Sequence, residues 1–210
     1  MHWRRDLKIN SDKSTLLQAV VSYFTSPSFK AVTRYRIYRW LYQRGPLGKA
    51  LHKPFWLANC KMGCYISPKC EIGHALYLPH PVGIVIGEGV VIGDEVTIFQ
   101  NVTLGVGRQG GADYPRLGNG VVAYTGAVLI GGIEVGDGAK IGAHTLVREN
   151  IPPGATVVAS PAVVLPKRNK RVRSNATEPM LPSAPQKGDH PIVPDGISDR
   201  LLSKRSELAV

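Results

Sequence analysis

The stretch LYLPHPVGIVIGEGVVIGDEVTIFQNVTLG (residues 76–105) decides how this chain folds. An aliphatic residue opens a six-residue unit at Ile66, Ile72, Leu78, Ile86, Ile92 and Ile98, and again at Leu117, Ala123, Leu129, Val135, Ile141 and Val147. Four positions after these openers stand Cys70, Leu76, Val82, Val90, Val96 and Val102, then Val121, Ala127, Ile133, Ala139, Thr145 and Ile151. A period of six matches neither the 3.6 of a helix nor the 2 of a simple strand. It suits a three-sided solenoid with one hexapeptide per side, the opener pointing inward and the fifth residue filling a corner. The expected fold is mainly β, a parallel β-helix.

Two departures mark where the solenoid carries something extra. Leu78 and Ile86 stand eight apart, so two additional residues bulge beside PHPVG. Leu104 and Leu117 stand thirteen apart, which extrudes the loop GVGRQGGADYPR (105–116). Insertions of this kind project sideways without breaking the stack and commonly build binding sites. His80 is the third residue of its unit, an outward position, and Gln100 is the third residue of the unit opening at Ile98. One turn plus the bulge puts Gln100 on the same face, one coil from His80. The spacing predicts that His80, Gln100 and the loop converge.

Composition narrows the functional classes. Of 210 residues, 43% are hydrophobic and 23 are Gly, enough for a core with many turns. The formal charge of +11 is uneven. Residues 1–65 carry 12 basic against 2 acidic groups, residues 66–165 carry 5 against 8, and residues 166–210 carry 9 against 5. A nucleic-acid binder would place its basic patch on the folded core, and here that core is slightly acidic, so nucleic acid is not an expected partner. The basic ends suit peripheral contact with acidic membrane lipid, or solubility. No run of eighteen apolar residues predicts a membrane span, and MHWRRDLKINSDKSTLL lacks the apolar centre of a signal peptide. The expected location is the cytoplasm, possible contact with the inner face of the membrane included. Cys60, Cys64 and Cys70 match no metal or disulfide spacing and are expected as reduced, mostly buried thiols.

The flanks differ from the repeat. Residues 14–60 read as helical, with STLLQAVVSYF and FKAVTRYRIYRWLYQRG the clearest pieces; Ser14 is a candidate cap, and Pro27 separates the two. In the second piece Val32, Tyr35, Tyr38 or Trp40, and Leu41 approximate an apolar face. Arg34, Arg36, Arg39 and Arg44 spread around it. That helix either packs on the rest of the protein or offers a basic surface to lipid. Residues from about Lys167 onward, rich in Pro, Ser and charge, are expected to be disordered. The sequon NAT at 175–177 carries no meaning in a cytoplasmic chain.

With these motifs in place, the middle of the chain resembles the hexapeptide-repeat acyltransferases, in their serine acetyltransferase-like branch. The likeness covers residues 20–166, through SPSFKAVTRYRIYRWLYQRG, ISPKCEIG, LPHPVGIVIGEGVVIGD, VTIFQNVTLG, GGIEVGDGAKIGAHTLV and PPGATVVASPAVVL. The resemblance implies a left-handed parallel β-helix over 66–165, preceded by the helical region 1–65 and followed by the basic tail 166–210. It further implies a homotrimer, either alone or paired into a dimer of trimers, with active sites between adjacent β-helices and acetyl-CoA as acyl donor. The family's catalytic histidine falls on His80, whose imidazole would take the proton of an acceptor hydroxyl during attack on the thioester. Gln100, Asp113 and Tyr114 fall at acceptor-binding positions. Gly105, Ala143, Lys167 and Arg168 fall where the oxyanion and CoA would be contacted.

Several family anchors are replaced here. The aspartate before the histidine is Pro79, its acidic partner in the preceding coil is Tyr65, and the loop's arginine and histidine are Asp113 and Tyr114. The arginine near the end of the repeat is Val163. So small and charged an acceptor as serine depends on such anchors. The expected acceptor is therefore a sugar hydroxyl in polysaccharide biosynthesis, with serine O-acetylation as the alternative and a non-catalytic trimeric scaffold as a third reading. Zinc is not expected. His74 and His80 lie on adjacent faces, and His144 reads as solvent-facing.

Overall fold

The computed structural model describes residues 3–11, 15–108 and 111–160. Among the described residues five helices come first: α1 (Trp3–Ser11), α2 (Leu16–Thr25), α3 (Pro27–Tyr42), α4 (Gly45–Leu51) and α5 (Lys53–Lys61). Thirteen short strands follow, and they stack into three parallel sheets. The first sheet holds β1 (Cys64–Ile66), β3 (Ile84–Ile86), β6 (Thr103–Gly105), β9 (Val128–Ile130) and β12 (Leu146–Val147) in that order. The second holds β2 (Glu71–Ile72), β4 (Val91–Ile92), β7 (Arg116–Leu117) and β10 (Glu134–Val135). The third holds β5 (Thr97–Ile98), β8 (Val122–Ala123), β11 (Lys140–Ile141) and β13 (Thr156–Val157). The chain visits the sheets in rotation, with Tyr77 bridging to the third sheet between β2 and β3 and Ile151 to the second between β12 and β13, which makes it a three-sided parallel coil.

Register shows why a six-residue rhythm produces this shape. Ile66, Ile86, Leu104, Leu129 and Val147 pair in one line through the first sheet and are buried. Ile98, Ala123 and Ile141 do the same in the third. Each interior position meets an apolar neighbour one coil away, so the core is continuous along the axis. One expected interior residue is displaced. Val82 is 58% exposed, and Ile84 takes the buried slot instead. The two inserted residues lie ahead of that slot and shift the register by two.

The first coil would leave its carbonyls unpaired at the open end, and a buried acceptor without a donor costs about 1–3 kcal/mol. The helices supply the donors. Tyr38 donates its hydroxyl to the Ile66 carbonyl at 2.7 Å and Tyr35 to that of Cys70 at 3.0 Å. Arg36 donates to the carbonyls of Ile72 and Gly73 while its Nε reaches Asp6 Oδ2 at 2.9 Å. Arg39 donates to the Cys70 carbonyl, and Asn10 Nδ2 donates to that of Leu76 at 2.8 Å. The arginines Arg36 and Arg39 are therefore bound within the protein. Its buried face is Ser28, Phe29, Ala31, Val32, Tyr35 and Tyr38, while Trp40 is exposed beneath the Arg44 guanidinium.

Helix starts follow local chemistry. Thr15 caps α2, its hydroxyl accepting the Gln18 N–H while the Gln18 side chain accepts the Thr15 N–H. Ser14 lies outside the described residues. Ser26 caps α3 with Pro27 in the first turn. Helix α1 lies within the helical region 1–65 but ahead of the 14–60 stretch whose pattern could be read in detail. Its Leu7 packs with Ala19 and Phe29, and its Asp6 is held by Arg36. Residues 161–210, and with them Val163, Lys167, Arg168 and the sequon, also lie outside the described residues.

Candidate functional site

The polar residues singled out by the sequence sit at corners of the prism, where the backbone turns. Between the third and first sheets the turning residues are Gly83, Asn101, Gly126 and His144, all with positive φ of 55–68°. Asn101 and His144 are the non-glycine members of this column, in a conformation that L residues seldom adopt. His80 belongs to this corner, on the bulge that precedes Gly83.

The bulge is tied down along much of its backbone but free at its tip. Ser28 Oγ, buried at the start of α3, donates to the Leu78 carbonyl. The Val82 N–H donates to the His80 carbonyl at 2.8 Å, a tight turn centred on Pro81, whose ring favours that backbone angle. The Gly83 N–H donates to the Gly63 carbonyl at 2.7 Å, and the Val82 carbonyl accepts from the Asn101 N–H at 2.9 Å. A Cβ at Gly83 would stand 2.0 Å from Asn101 Oδ1, so a side chain there would displace the Asn101 amide as well as strain the positive-φ backbone. The His80 side chain itself is exposed, and among the described residues no hydrogen bond holds its imidazole.

Gln100 lies in the next coil, directly along the stack. The Tyr77–Thr97 bridge and the Asn101-to-Val82 hydrogen bond set that register. Its carbonyl accepts the Gly126 N–H at 3.0 Å, yet its side-chain Oε1 is buried with no partner. A buried acceptor left unbonded is uncommon and invites a ligand or water. Beside it, Phe99 and Tyr124 stack on successive coils with centroids 5.3 Å apart. The sequence reading passed over this pair. Their shared place, second in successive units, is the signal that could have revealed them.

The loop does not join His80 within one chain. It leaves the first sheet after β6 and re-enters the second at β7, so it occupies the first–second corner, while His80 occupies the third–first corner. The Tyr114 ring covers Gly87 and Gly89, where an added Cβ would come within 2.7 and 2.3 Å of it. Asp113 lies over Gly132. Lys69, Glu88, Gly89, Val106, Ala112 and Tyr114 border an open groove of about 610 Å³ here, and Lys69 Nζ meets Glu88 Oε2 at 2.6 Å. The expected convergence therefore fails in the single chain, because the loop follows a unit of the first sheet and His80 precedes one.

The remaining candidates fall as follows. Gly105 ends β6 opposite Ile130 and its carbonyl accepts the Gly131 N–H, while an added Cβ would meet nothing within 4 Å. It offers an open outward surface. Ala143 is exposed in the turn before His144. Tyr65 packs edge-on against Trp56, with centroids 5.8 Å apart, and burial is the main cause that raises its hydroxyl pKa. Cys64 and Cys70 are buried free thiols whose pKa burial pushes up to about 12, and Cys60 is half-buried. Among the described residues no cluster of three or more His, Cys, Asp or Glu could hold a metal. None of their helices is long and apolar enough to cross a membrane.

A parallel three-sided coil with a histidine on a clamped bulge is the architecture expected of a hexapeptide-repeat acyltransferase, and comparison with known proteins bears on that directly. No family model matches the chain. A serine acetyltransferase of Helicobacter pylori is 41% identical over 144 residues, covering 67% of this chain and 82% of that protein. One of Synechococcus elongatus is 37% identical over 148 residues, covering 70% of this chain and 60% of that protein. Among solved structures, a serine acetyltransferase of Neisseria gonorrhoeae in complex with serine has 32% identity and a TM-score of 0.66, over 78% of this chain and 67% of that one. A Brucella abortus serine acetyltransferase in complex with coenzyme A has 30% identity and a TM-score of 0.65, over 77% and 65%. The chain belongs to the serine acetyltransferase family, and its coil is the left-handed parallel β-helix of that family. It spans less than two thirds of the Synechococcus protein's length.

Proposed function

We propose that this chain transfers the acetyl group of acetyl-CoA to a hydroxyl, with His80 as general base. The observation that carries this reading is the His80 bulge, whose backbone is bound to α3, to Gly63 and to the coil below while its imidazole stays exposed and unbonded. A neutral imidazole there can accept the acceptor's proton as its oxygen attacks the thioester carbonyl. The tetrahedral oxyanion then collapses, the C–S bond breaks, and the CoA thiolate leaves and takes up the proton. No acyl-enzyme is needed. Gly105 and Ala143 offer open surface along which the donor can lie, and Lys167 and Arg168 supply cations suited to its phosphates.

A homotrimer would complete the site. The outward row Tyr65, Val85, Thr103, Val128 and Leu146 on the first sheet is largely apolar and partly exposed. His80 borders this sheet on one edge and the loop with Asp113 and Tyr114 on the other. Packing one copy against the next would cover the row and bring the loop of one to the histidine of another.

For the acceptor, the names of the relatives favour L-serine over the sugar hydroxyl expected from the sequence. One observation keeps the sugar reading as a second candidate. Tyr65, Pro79 and Tyr114 stand where the family carries charged or ionisable anchors, and of the loop pair only Asp113 bears a charge. The test is thiol release from acetyl-CoA with L-serine and with a panel of saccharides, wild type beside His80→Ala. Release with serine that is lost in the variant establishes the serine reaction. Release with saccharides alone moves the acceptor to a sugar, and CoA binding with no release from any acceptor would reduce the chain to a scaffold.

A further inference from the structure

Helix α2 presents an apolar stripe to solvent. Leu17, Val20, Val21 and Phe24 are 76, 53, 46 and 72% exposed, and their spacing of three, four and seven residues places them on one face. The opposite side is the one that packs, through Ala19 and Ser22, so the helix is anchored and its stripe is left over. An exposed contiguous apolar face on a folded chain marks an interaction surface.

We propose that this stripe seats α2 on an anionic lipid surface. Charge around the stripe selects that occupant. Arg5 and Lys8 are exposed on α1, which packs against α2, and the Lys30 ammonium lies at the Phe24 carbonyl at 3.4 Å. Of the two acidic residues within 1–65, Asp6 is buried against Arg36, so it does not offset these cations at the surface. A second copy meeting the stripe would bring the strongly basic 1–65 region against its like. A bilayer containing acidic phospholipid instead offers an apolar interior for Leu17 and Phe24 and phosphates for Lys30 and the other cations of these helices. The surface lies on α2 and α1, and α3 contributes only Lys30.

The full-length protein is co-sedimented with vesicles of phosphatidylcholine alone and of phosphatidylcholine mixed with phosphatidylglycerol. The expected result is partitioning onto the mixed vesicles that weakens with salt, and about tenfold weaker partitioning for each of Leu17→Ser and Phe24→Ser. Leu47→Ser, an equally exposed change on α4, serves as the control and leaves partitioning unchanged. Circular dichroism of each variant verifies that the fold is retained. Absence of wild-type binding to both vesicle types overturns the proposal, as does binding that both α2 variants leave intact. Loss of an oligomer in the α2 variants, with no vesicle binding by wild type, also overturns it and assigns the stripe to a self-interface.

Discussion

Two corners of the prism use the same backbone turn for different ends. Between the second and third sheets, Ala75, Glu95, Gly120, Gly138 and Gly154 form a column of positive φ. Carboxylate and amide oxygens lock this column. Asp94 Oδ1 accepts the His74 N–H at 2.7 Å, Asn119 Oδ1 accepts that of Asp94 at 2.8 Å, and Asp137 Oδ1 accepts that of Asn119 at 2.6 Å. Between the third and first sheets the equivalent column carries Gly83, Asn101, Gly126 and His144. There the His80 imidazole is unbonded and Gln100 Oε1 is buried without a partner. One corner uses its carboxylate and amide side chains in a ladder that ties each coil to the next, and the other holds its backbone rigid while leaving the His80 and Gln100 side chains for something else. Local rules obeyed in one place and broken at its structural twin point to the site.

The largest effect that follows is on turnover at the open corner. His80→Ala should lower kcat by about 10²–10⁴-fold, the usual contribution of a positioned general base. Its circular dichroism and thermal midpoint should match the wild type, since the side chain bonds to nothing. Steady-state kinetics beside a melting curve settles both halves. Gly83→Ala comes next, because it attacks the support rather than the base. The left-handed backbone alone costs about 1–2 kcal/mol for a residue with a Cβ, and the contact with Asn101 Oδ1 adds to it. Chemical denaturation should show that loss, together with reduced kcat; equal stability would mean the bulge is looser than its hydrogen bonds imply.

The closed corner should respond in the opposite way. Asp94→Ala and Asn119→Ala each remove one acceptor from the ladder and should destabilise by about 1 kcal/mol. Their kcat and KM should stay at wild-type values. A drop in kcat from either change, with the fold intact, would erase the distinction between the corners. Gln100→Met sharpens the distinction with a smaller effect. It removes a buried orphan acceptor, so stability should hold or rise slightly, while KM for one substrate should increase by about three- to tenfold through one lost hydrogen bond.

How much of this was legible beforehand depends on what each residue answers to. The openers Ile86, Leu104, Leu129 and Val147 were readable because a solenoid repeats the same demand at every coil. Gln100 beneath His80 was readable for the same reason, by adding the bulge to one turn. Val82 was misassigned because periodicity carries no information on which side of an insertion the register resumes, and Ile84 filled the slot. The loop's corner could have been found by counting units from Leu104, and it was the assumption of convergence that failed. Ser28, Asn10, Tyr35 and Arg36 were out of reach, since they serve carbonyls far along the chain that no local pattern connects to them. The roles of Leu7 and Asp6 in α1 were equally out of reach, because they are acquired only against α2 and α3.

The smallest expected effect concerns the prolines around His80. In most of the coil a corner is held by contacts with the coils on both sides, but the bulge has only the helices and Gly63 on one of them. Pro79 and Pro81 restrict the unbound bulge before any contact forms, and replacing each with alanine returns about 0.4–1 kcal/mol of conformational freedom. The surrounding hydrogen bonds run through backbone groups that alanine keeps, so the fold should survive. The imidazole would sample more positions, and fewer of them would face the acceptor hydroxyl. Pro79→Ala and Pro81→Ala should therefore lower kcat by a few-fold while leaving CoA affinity, measured by calorimetry, close to wild type. Unchanged kcat in both would mean that Ser28, Gly63 and Asn101 suffice to hold the bulge, and that the prolines matter to the corner's shape rather than to its work.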